Sequence, residues 1–201
     1  PGAELEKCPL AKAAGQMNDF IYGSVMALYL KLPEVTDQHS LNHRRWDELL
    51  ESGEMGLYET QRVETDRYGH LVLSPWAIAR HGIYQSEAVG LLTKLMGVGR
   101  TITECPVSTS DGVKLVDAAW MSRERYEPMR EFKVFEMAPE ICIEVLSPSN
   151  TRAEREEKRD LYFEIGCLEF WTVSATGKMR FFDSQNGEVP ASVLCPEFPV
   201  E

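Results

Sequence analysis

The chain has 201 residues, 43% hydrophobic and 26% charged, which suits one sizeable α/β domain with its own core rather than two. A formal net charge of −11 argues against casual binding to nucleic-acid backbones, although basic residues gather at Arg44-Arg45, Arg123 to Lys133 and Arg152 to Arg159. The five cysteines (Cys8, Cys105, Cys142, Cys167, Cys195) are odd in number, with no C-x-x-C pair and no zinc spacing, and predict reduced thiols in a cytoplasmic protein.

Residues 1–39 read as an N-terminal extension. Pro1 to Gln16 carries little pattern. Met17, Phe20, Ile21, Val25, Leu28 and Leu32 then fall near helical spacing until Pro33, predicting a helix docked on the body or on a neighbouring subunit. Its most apolar run, Phe20 to Leu30, contains Tyr and Gly, is flanked by Asp19 and Lys31 and lacks a cleavage pattern. Neither a membrane span nor a signal peptide is expected.

The domain proper is expected over residues 40–201. A helix from Ser40 to Ser52 places Trp46, Leu49 and Leu50 on one face, with Gly53 after its end. Tyr58 to Glu64 and His70 to Ser74 predict a hairpin around Asp66-Arg67-Tyr68-Gly69, ended by Pro75. A helix over His81 to Met96, closed by Gly97 and Gly99, has the stripe Tyr84, Ala88, Leu91, Leu92, Leu95. Glu87 falls three after Tyr84 and four before Leu91, which puts a carboxylate on the apolar side.

Thr101 to Val107 and Val113 to Met121 read as strands around the turn Ser110-Asp111-Gly112. Val113, Leu115, Asp117 and Ala119 share one face by the period-two rule, so Asp117 interrupts a face that is otherwise apolar. Residues 122–137 are polar and predict a long connection with one helical turn. Ile141 to Leu146, bounded by Pro139 and Ser147-Pro148, reads as a strand buried on both faces. Glu144 stands in its middle, where a lone ionised carboxylate costs several kcal/mol unless something positive compensates it.

Ser147-Pro148-Ser149-Asn150-Thr151 supplies turn and cap chemistry for a helix from Arg152 to Ile165, closed by Gly166. Leu161, Tyr162 and Ile165 form its buried stripe. One turn back along that stripe lies Lys158, which extends it towards the strand carrying Glu144. Leu168 to Val173 is the next strand, and strand-helix-strand favours a parallel pair. Lys178 to Asp183 makes a further strand, Gln185-Asn186-Gly187 a turn, and Pro196 and Pro199 mark an irregular tail.

Glu87, Asp117, Glu144 and Lys158 thus take inward positions on four different elements. Buried like charges repel unless a cation shares the space, and a divalent ion held by two carboxylates answers this. Oxygen ligands with retained waters suit Mg²⁺ better than zinc. A lysine beside such an ion steadies a water or the charge developing on a phosphate, so the set suits metal-assisted phosphodiester hydrolysis. Plainer readings exist for each residue. Glu87 is equally a stripe-edge carboxylate in water, Asp117 a strand-end aspartate on main-chain N–H groups, and Glu144 with Lys158 a structural ion pair. His70 and His81 read as loop or helix-start residues, and Trp120, Tyr162 and Trp171 as packing.

Val116-Asp117 followed by a buried Ile143-Glu144-Val145 resembles the PD-(D/E)XK nuclease superfamily. More narrowly, ICIEVLSPSNTRAEREEKRDLYFEIGCLEFWTV is similar to the Uma-type restriction endonucleases, with their E-V-L-S-P-S strand end, K-x-x-L-Y helix and Gly-led strand through Glu169-Phe170-Trp171. The match is dense over residues 115–183, looser over 40–114, where His81 precedes the first core helix as in the family, and absent over 1–39. It implies a restriction-endonuclease-like α+β (α/β) core, a central mixed sheet flanked by helices, with the extension and hairpin added. It implies Mg²⁺, with Mn²⁺ as a substitute, held by Asp117, Glu144 and the main-chain carbonyl of Val145. The superfamily lysine would sit two after the glutamate, where this chain has Leu146; in the Uma-type family the following helix supplies it, here as Lys158. Glu87 matches the acidic residue the superfamily often has on its first core helix. Val116 for the usual proline, and Ser174-Ala175 for Asp-Pro, depart from the pattern at positions that shape turns and do not bind metal.

DNA is the substrate this resemblance implies, and cutting a duplex, which needs two active sites or two visits, predicts a homodimer or higher homo-oligomer. Two other readings stand beside it. One is a catalytically silent fold relative acting as an oligomeric binding or assembly module, in keeping with the acidic charge and the patterned extension. The other is a hydrolase of a small phosphate substrate, which fits the acidity but lacks a glycine-rich phosphate cradle.

Overall fold

A computed structural model describes residues 35–75, 79–147 and 151–200. The helix expected over Met17 to Leu32, Cys8, and the turn residues Pro148 to Asn150 lie outside them. Helix α1, Gln38–Glu51, begins where the Asp37 carboxylate accepts the Ser40 N–H at 3.0 Å, which satisfies one of the orphan donors of its first turn. It buries Asn42, Trp46 and Leu49, packing Trp46 and Leu49 against Val113 and Val134. Leu50, expected on the same face, is about 100° further round the helix and stays exposed. Gly53, at φ 72°, turns the chain into a 3₁₀ turn over Glu54–Tyr58. The hairpin's first strand therefore starts later than expected: β1 is Gln61–Thr65 and β2 is Leu71–Pro75, paired antiparallel.

The main sheet has six strands in the order β3 (Arg100–Thr109), β4 (Gly112–Met121), β5 (Ile141–Val145), β6 (Glu169–Val173), β7 (Met179–Asp183) and β8 (Gly187–Val189). β5 and β6 run parallel, and the other neighbours are antiparallel. Every residue of β5 and β6 is buried, as two covered faces require. β8 was expected only as the end of a turn. Three residues are too few to show a period-two signal, and the hairpin is instead fixed by Asp183, whose carboxylate accepts the Gln185 and Asn186 N–H groups.

Helix α2, Ala79–Met96, covers one face of the sheet, bringing Ala88 and Leu92 onto Ile141, Ile143, Val145 and Trp171. A short α3, Arg123–Tyr126, capped by Ser122, supplies the helical turn expected in the connection. Helix α4, Arg152–Glu164, covers the other face. Its N-terminus carries a reciprocal cap, with Thr151 Oγ1 accepting the Glu154 N–H and Glu154 accepting the Thr151 N–H. Tyr162 of α4 is fully buried among Cys142, Phe170, Val116 and Ala119. The thiols of Cys105, Cys142, Cys167 and Cys195 are free and buried. Among the described residues, no helix is long and apolar enough to cross a membrane.

The hairpin β1–β2 docks on β4 through side chains where β4 lacks a strand partner. β5 pairs with β4 only from Ala118 to Trp120, which leaves the first half of β4 with unpaired backbone groups. Thr65 Oγ1 accepts the Val113 N–H at 2.8 Å, Glu64 Oε1 accepts the Leu115 N–H at 2.9 Å, and Arg62 donates to the Leu115 carbonyl. Gly112 permits this close approach, because a Cβ there would lie 2.4 Å from the carbonyl oxygens of Thr65 and Asp66.

Candidate active site

Strand register puts three carboxylates in one row across the sheet. Thr103 pairs with Ala118 and Cys105 with Val116, so Glu104 stands across from Asp117. The β4–β5 ladder stops at Ala118 and Ile143, and the next residues in the same register are Asp117 and Glu144. Here the strands part. The Asp117 carboxylate enters the gap, and its Oδ2 accepts the Val145 N–H at 2.7 Å. On the other side Glu104 takes φ 48°, the one positive φ of a non-glycine residue among those described. Left-handed backbone costs a side-chain-bearing residue about 1–2 kcal/mol, and such strain gathers at functional sites.

Glu144 points to the α4 side, where the Tyr162 hydroxyl donates to its Oε1 at 2.8 Å and Lys158 Nζ lies 3.5 Å from its Oε2. Lys158 also donates to Glu64 Oε1 at 2.9 Å. The helix stripe therefore carries the ammonium to the carboxylates, as its spacing predicted. Arg62 lies between the carboxylates of three strands. It donates one hydrogen bond to Asp117 Oδ1 and one to the Leu115 carbonyl, and its Nε lies 3.3 Å from Glu104 Oε2. From α2, His81 Nε2 comes within 3.2 Å of Asp117 Oδ2, and Gln85 donates to Glu104 Oε1 and to the Asp117 carbonyl. The His81 and Arg62–Glu104 contacts are charge contacts rather than aligned hydrogen bonds, for His81 Nε2, Arg62 Nε and Glu104 Oε2 are buried without a directed partner.

The electrostatics divide the two central acids. Burial pushes Asp117 up, but His81, the Arg62 guanidinium and the Val145 N–H outweigh it and hold the carboxyl below its ordinary value. Burial likewise opposes ionisation of Glu64, and Lys158 and Arg62 outweigh it, so it too is held low. Burial wins at Glu144. Lys158 lowers it less than burial, aided by the Asp117 charge, raises it, and the carboxyl is pushed up to about 7. Lys158 is disfavoured by burial yet held above its ordinary value by Glu144 and Glu64, so it remains an ammonium donor. His81 is raised by its contact with Asp117, against burial.

Of the residues that sequence pattern singled out, Asp117, Glu144, Val145 and Lys158 come together. Glu87 does not. Its position three after Tyr84 suggested the apolar side, but the buried line of α2 runs through Ala88 and Leu92, and Glu87 is exposed. The α2 residues that face the acids are His81 and Gln85. Arg62, Glu64 and Glu104 were not anticipated. Glu104 carried a weak signal, as an acid inside a predicted strand facing Asp117 across a short turn; Arg62 and Glu64 carried none.

An all-oxygen set of Asp117, Glu144 and the Val145 carbonyl fits a hard divalent cation. Glu144, whose burial outweighs Lys158, and Glu104, whose Oε2 is a buried acceptor with no aligned donor, are the two acids of the cluster left under-compensated. The fit holds for two carboxylates and not for a larger cage: among the described residues, no three His, Cys, Asp or Glu side chains converge on a metal position.

The fold is similar to a crystal structure described as that of a putative nuclease belonging to DUF820, from Anabaena variabilis ATCC 29413. The match has a TM-score of 0.58 at 18% identity and covers 68% of this chain and 84% of that one. At that identity the likeness is one of fold. No curated protein sequence matches the chain. The family model Uma2, described as "Putative restriction endonuclease", matches residues 46–192. That span runs from Trp46 of α1, through the hairpin bearing Arg62 and Glu64, past the Asp117–Glu144 gap and Lys158, to the tail, and the chain belongs to this family of restriction-endonuclease-like proteins.

Proposed function

We propose that the protein is a Mg²⁺-dependent endonuclease that hydrolyses DNA phosphodiester bonds at the gap between β4 and β5. The observation that carries this reading is the pair Asp117 and Glu144, side by side where the ladder opens, with the Lys158 ammonium 3.5 Å from Glu144. Asp117, Glu144 and the Val145 carbonyl would hold the ion, with Mn²⁺ able to replace Mg²⁺. A bound ion there supplies Lewis-acid polarisation and a more acidic water. Lys158, held above its ordinary value by Glu144 and Glu64, would orient the water as an ammonium donor and balance the negative charge that grows on the phosphate. Tyr162 fixes Glu144 Oε1, and the Val145 N–H fixes Asp117 Oδ2, so the oxygens that would face an ion are Glu144 Oε2, beside Lys158, and Asp117 Oδ1, on which Arg62 sits. Duplex cleavage takes two such sites or two visits by one, and a homodimer in the cytoplasm, which supplies two sites, is part of the proposal.

Plasmid cleavage in Mg²⁺ tests it, with wild type, Asp117→Asn, Glu144→Gln and Lys158→Ala prepared in parallel. Loss of at least about 100-fold in each variant is expected. Equal nicking by all four preparations points to a contaminant and ends the proposal. The second reading, a catalytically silent binding module, draws on the Arg62 guanidinium already seated on Asp117. Single-site Mn²⁺ binding by calorimetry, abolished in Glu144→Gln, rules that reading out.

A further inference from the structure

We propose that Arg62 is a built-in competitor of the divalent cation: its guanidinium holds Asp117 in the metal-free protein and must leave that carboxylate when an ion binds. The inference rests on the cation-site reading above. Asp117 has two oxygens and both are engaged. Oδ2 is locked in the strand gap by the Val145 N–H, with His81 beside it. Oδ1 is the oxygen left for a cation, and Arg62 Nη1 donates to it. Oδ1 has a second lone pair, but an ion seated there would touch the guanidinium bonded to the same oxygen, so the two cations compete for it.

Charge counting gives the same answer. Asp117, Glu144, Glu64 and Glu104 face two permanent cations, Arg62 and Lys158. Lys158 bridges Glu64 and Glu144 and leaves Asp117 to Arg62 on Oδ1 and to His81 beside Oδ2. An added dication beside an unmoved guanidinium would bring like charges into contact in a buried setting. Arg62 also has the means to move. Its Nε lacks an aligned acceptor, Glu104 Oε2 is an unfilled acceptor within 3.3 Å, and Glu64 Oε1 lies 3.9 Å from Nη2. Swinging towards Glu104 and Glu64 keeps the guanidinium paired while it frees Oδ1. Arg62 is thus a positioning residue, acting on cation affinity through Asp117.

A merely structural arginine and a competing one give opposite signs when neutralised. The test is Mn²⁺ calorimetry on the full chain for wild type, Arg62→Gln and Asp117→Asn, with thermal denaturation in chelator. A competing Arg62 predicts that Arg62→Gln is less stable than wild type without metal, yet binds Mn²⁺ about tenfold or more tighter. Arg62→Gln binding no tighter than wild type, with Asp117→Asn silent, overturns the role of Arg62 and leaves the cation site standing. No Mn²⁺ binding by wild type or Arg62→Gln at millimolar metal overturns both. NMR of the wild-type Arg62 Nε–H signal, assigned by its loss in Arg62→Lys, decides the matter if Arg62→Gln does not fold. Movement of that signal with added Mg²⁺, saturating with the calorimetric affinity, is the expected result, and a stationary signal at saturating Mg²⁺ overturns the proposal.

Discussion

Glu144 is the residue whose chemistry departs furthest from its surroundings, and its pH behaviour follows from that. Its carboxyl rises from 4.5 to about 7 because burial outweighs Lys158. In the metal-free protein the native state then keeps a proton that the unfolded chain gives up. Its contribution is fully present below about pH 4.5 and is lost as pH rises towards 7, a fall of about 3 kcal/mol. Asp117 and Glu64, held low, act in the opposite sense and lose stability as pH falls below their ordinary values of 3.8 and 4.5. His81, raised from 6.5, adds a second loss above that pH. Denaturant titrations across this range in chelator should show the fall between pH 4.5 and 7 in wild type and its absence in Glu144→Gln, which keeps only the His81 limb. A Glu144→Gln curve that tracks wild type would show that Glu144 ionises freely. Glu87→Ala makes the contrast: an exposed side chain away from the cluster, so stability within about 0.5 kcal/mol of wild type and unchanged Mn²⁺ affinity are expected. Asp117, Glu144 and Lys158 were legible in the sequence for local reasons: Asp117 interrupts a period-two apolar face, Glu144 a continuous apolar run, and Lys158 continues the buried stripe of its helix with a charge. Glu87 misled because Tyr84 and Leu91 mark the edges of the α2 stripe, while Ala88 and Leu92 mark its centre.

At the scale of elements, the hairpin β1–β2 completes the site, and Gly112 is what admits it. Gly112 has φ 89°, and a Cβ there would meet two backbone carbonyls of the β1 end at 2.4 Å, with no flexible side chain to give way. Gly112→Ala should therefore cost about 2–4 kcal/mol in urea denaturation, from left-handed strain and forced displacement together. Gly56→Ala, with open space around it and no positive φ, should cost little. Equal effects would mean that the hairpin does not press on the β3–β4 turn. None of this docking was visible beforehand. Gln61–Thr65 announces a strand by composition, but the partners that Arg62 and Glu64 find on the sheet and on α4 lie 42 to 94 positions further along the chain. By contrast the β5–α4–β6 unit is read from contiguous residues, with cap, stripe and flanking apolar strands all local, and it folds as the pattern dictates.

For the whole molecule, a net charge of −11 means that the native state gathers like charges that the unfolded chain can spread apart. Among the described residues such a gathering lies at the β4–β5 gap, where four carboxylates face two permanent cations. An ion that binds this gap binds only the folded chain, so it must raise stability by mass action, by about 2.7 kcal/mol at 100 times its dissociation constant. Ligation also needs Glu144 ionised. Ion binding near pH 6 therefore releases a proton that binding at pH 8 does not, and the apparent affinity climbs between those values. The expected outcome is a melting temperature that rises with Mn²⁺ or Mg²⁺, rises more at pH 8 than at pH 6, and returns with chelator. Glu144→Gln and Asp117→Asn should show neither the rise nor its pH dependence. A rise of the same size in both variants would locate the ion elsewhere on an acidic surface. The gap between β4 and β5 would then be an ion-paired joint between hairpin, sheet and helix, with Arg62 and Lys158 as its permanent counter-charges.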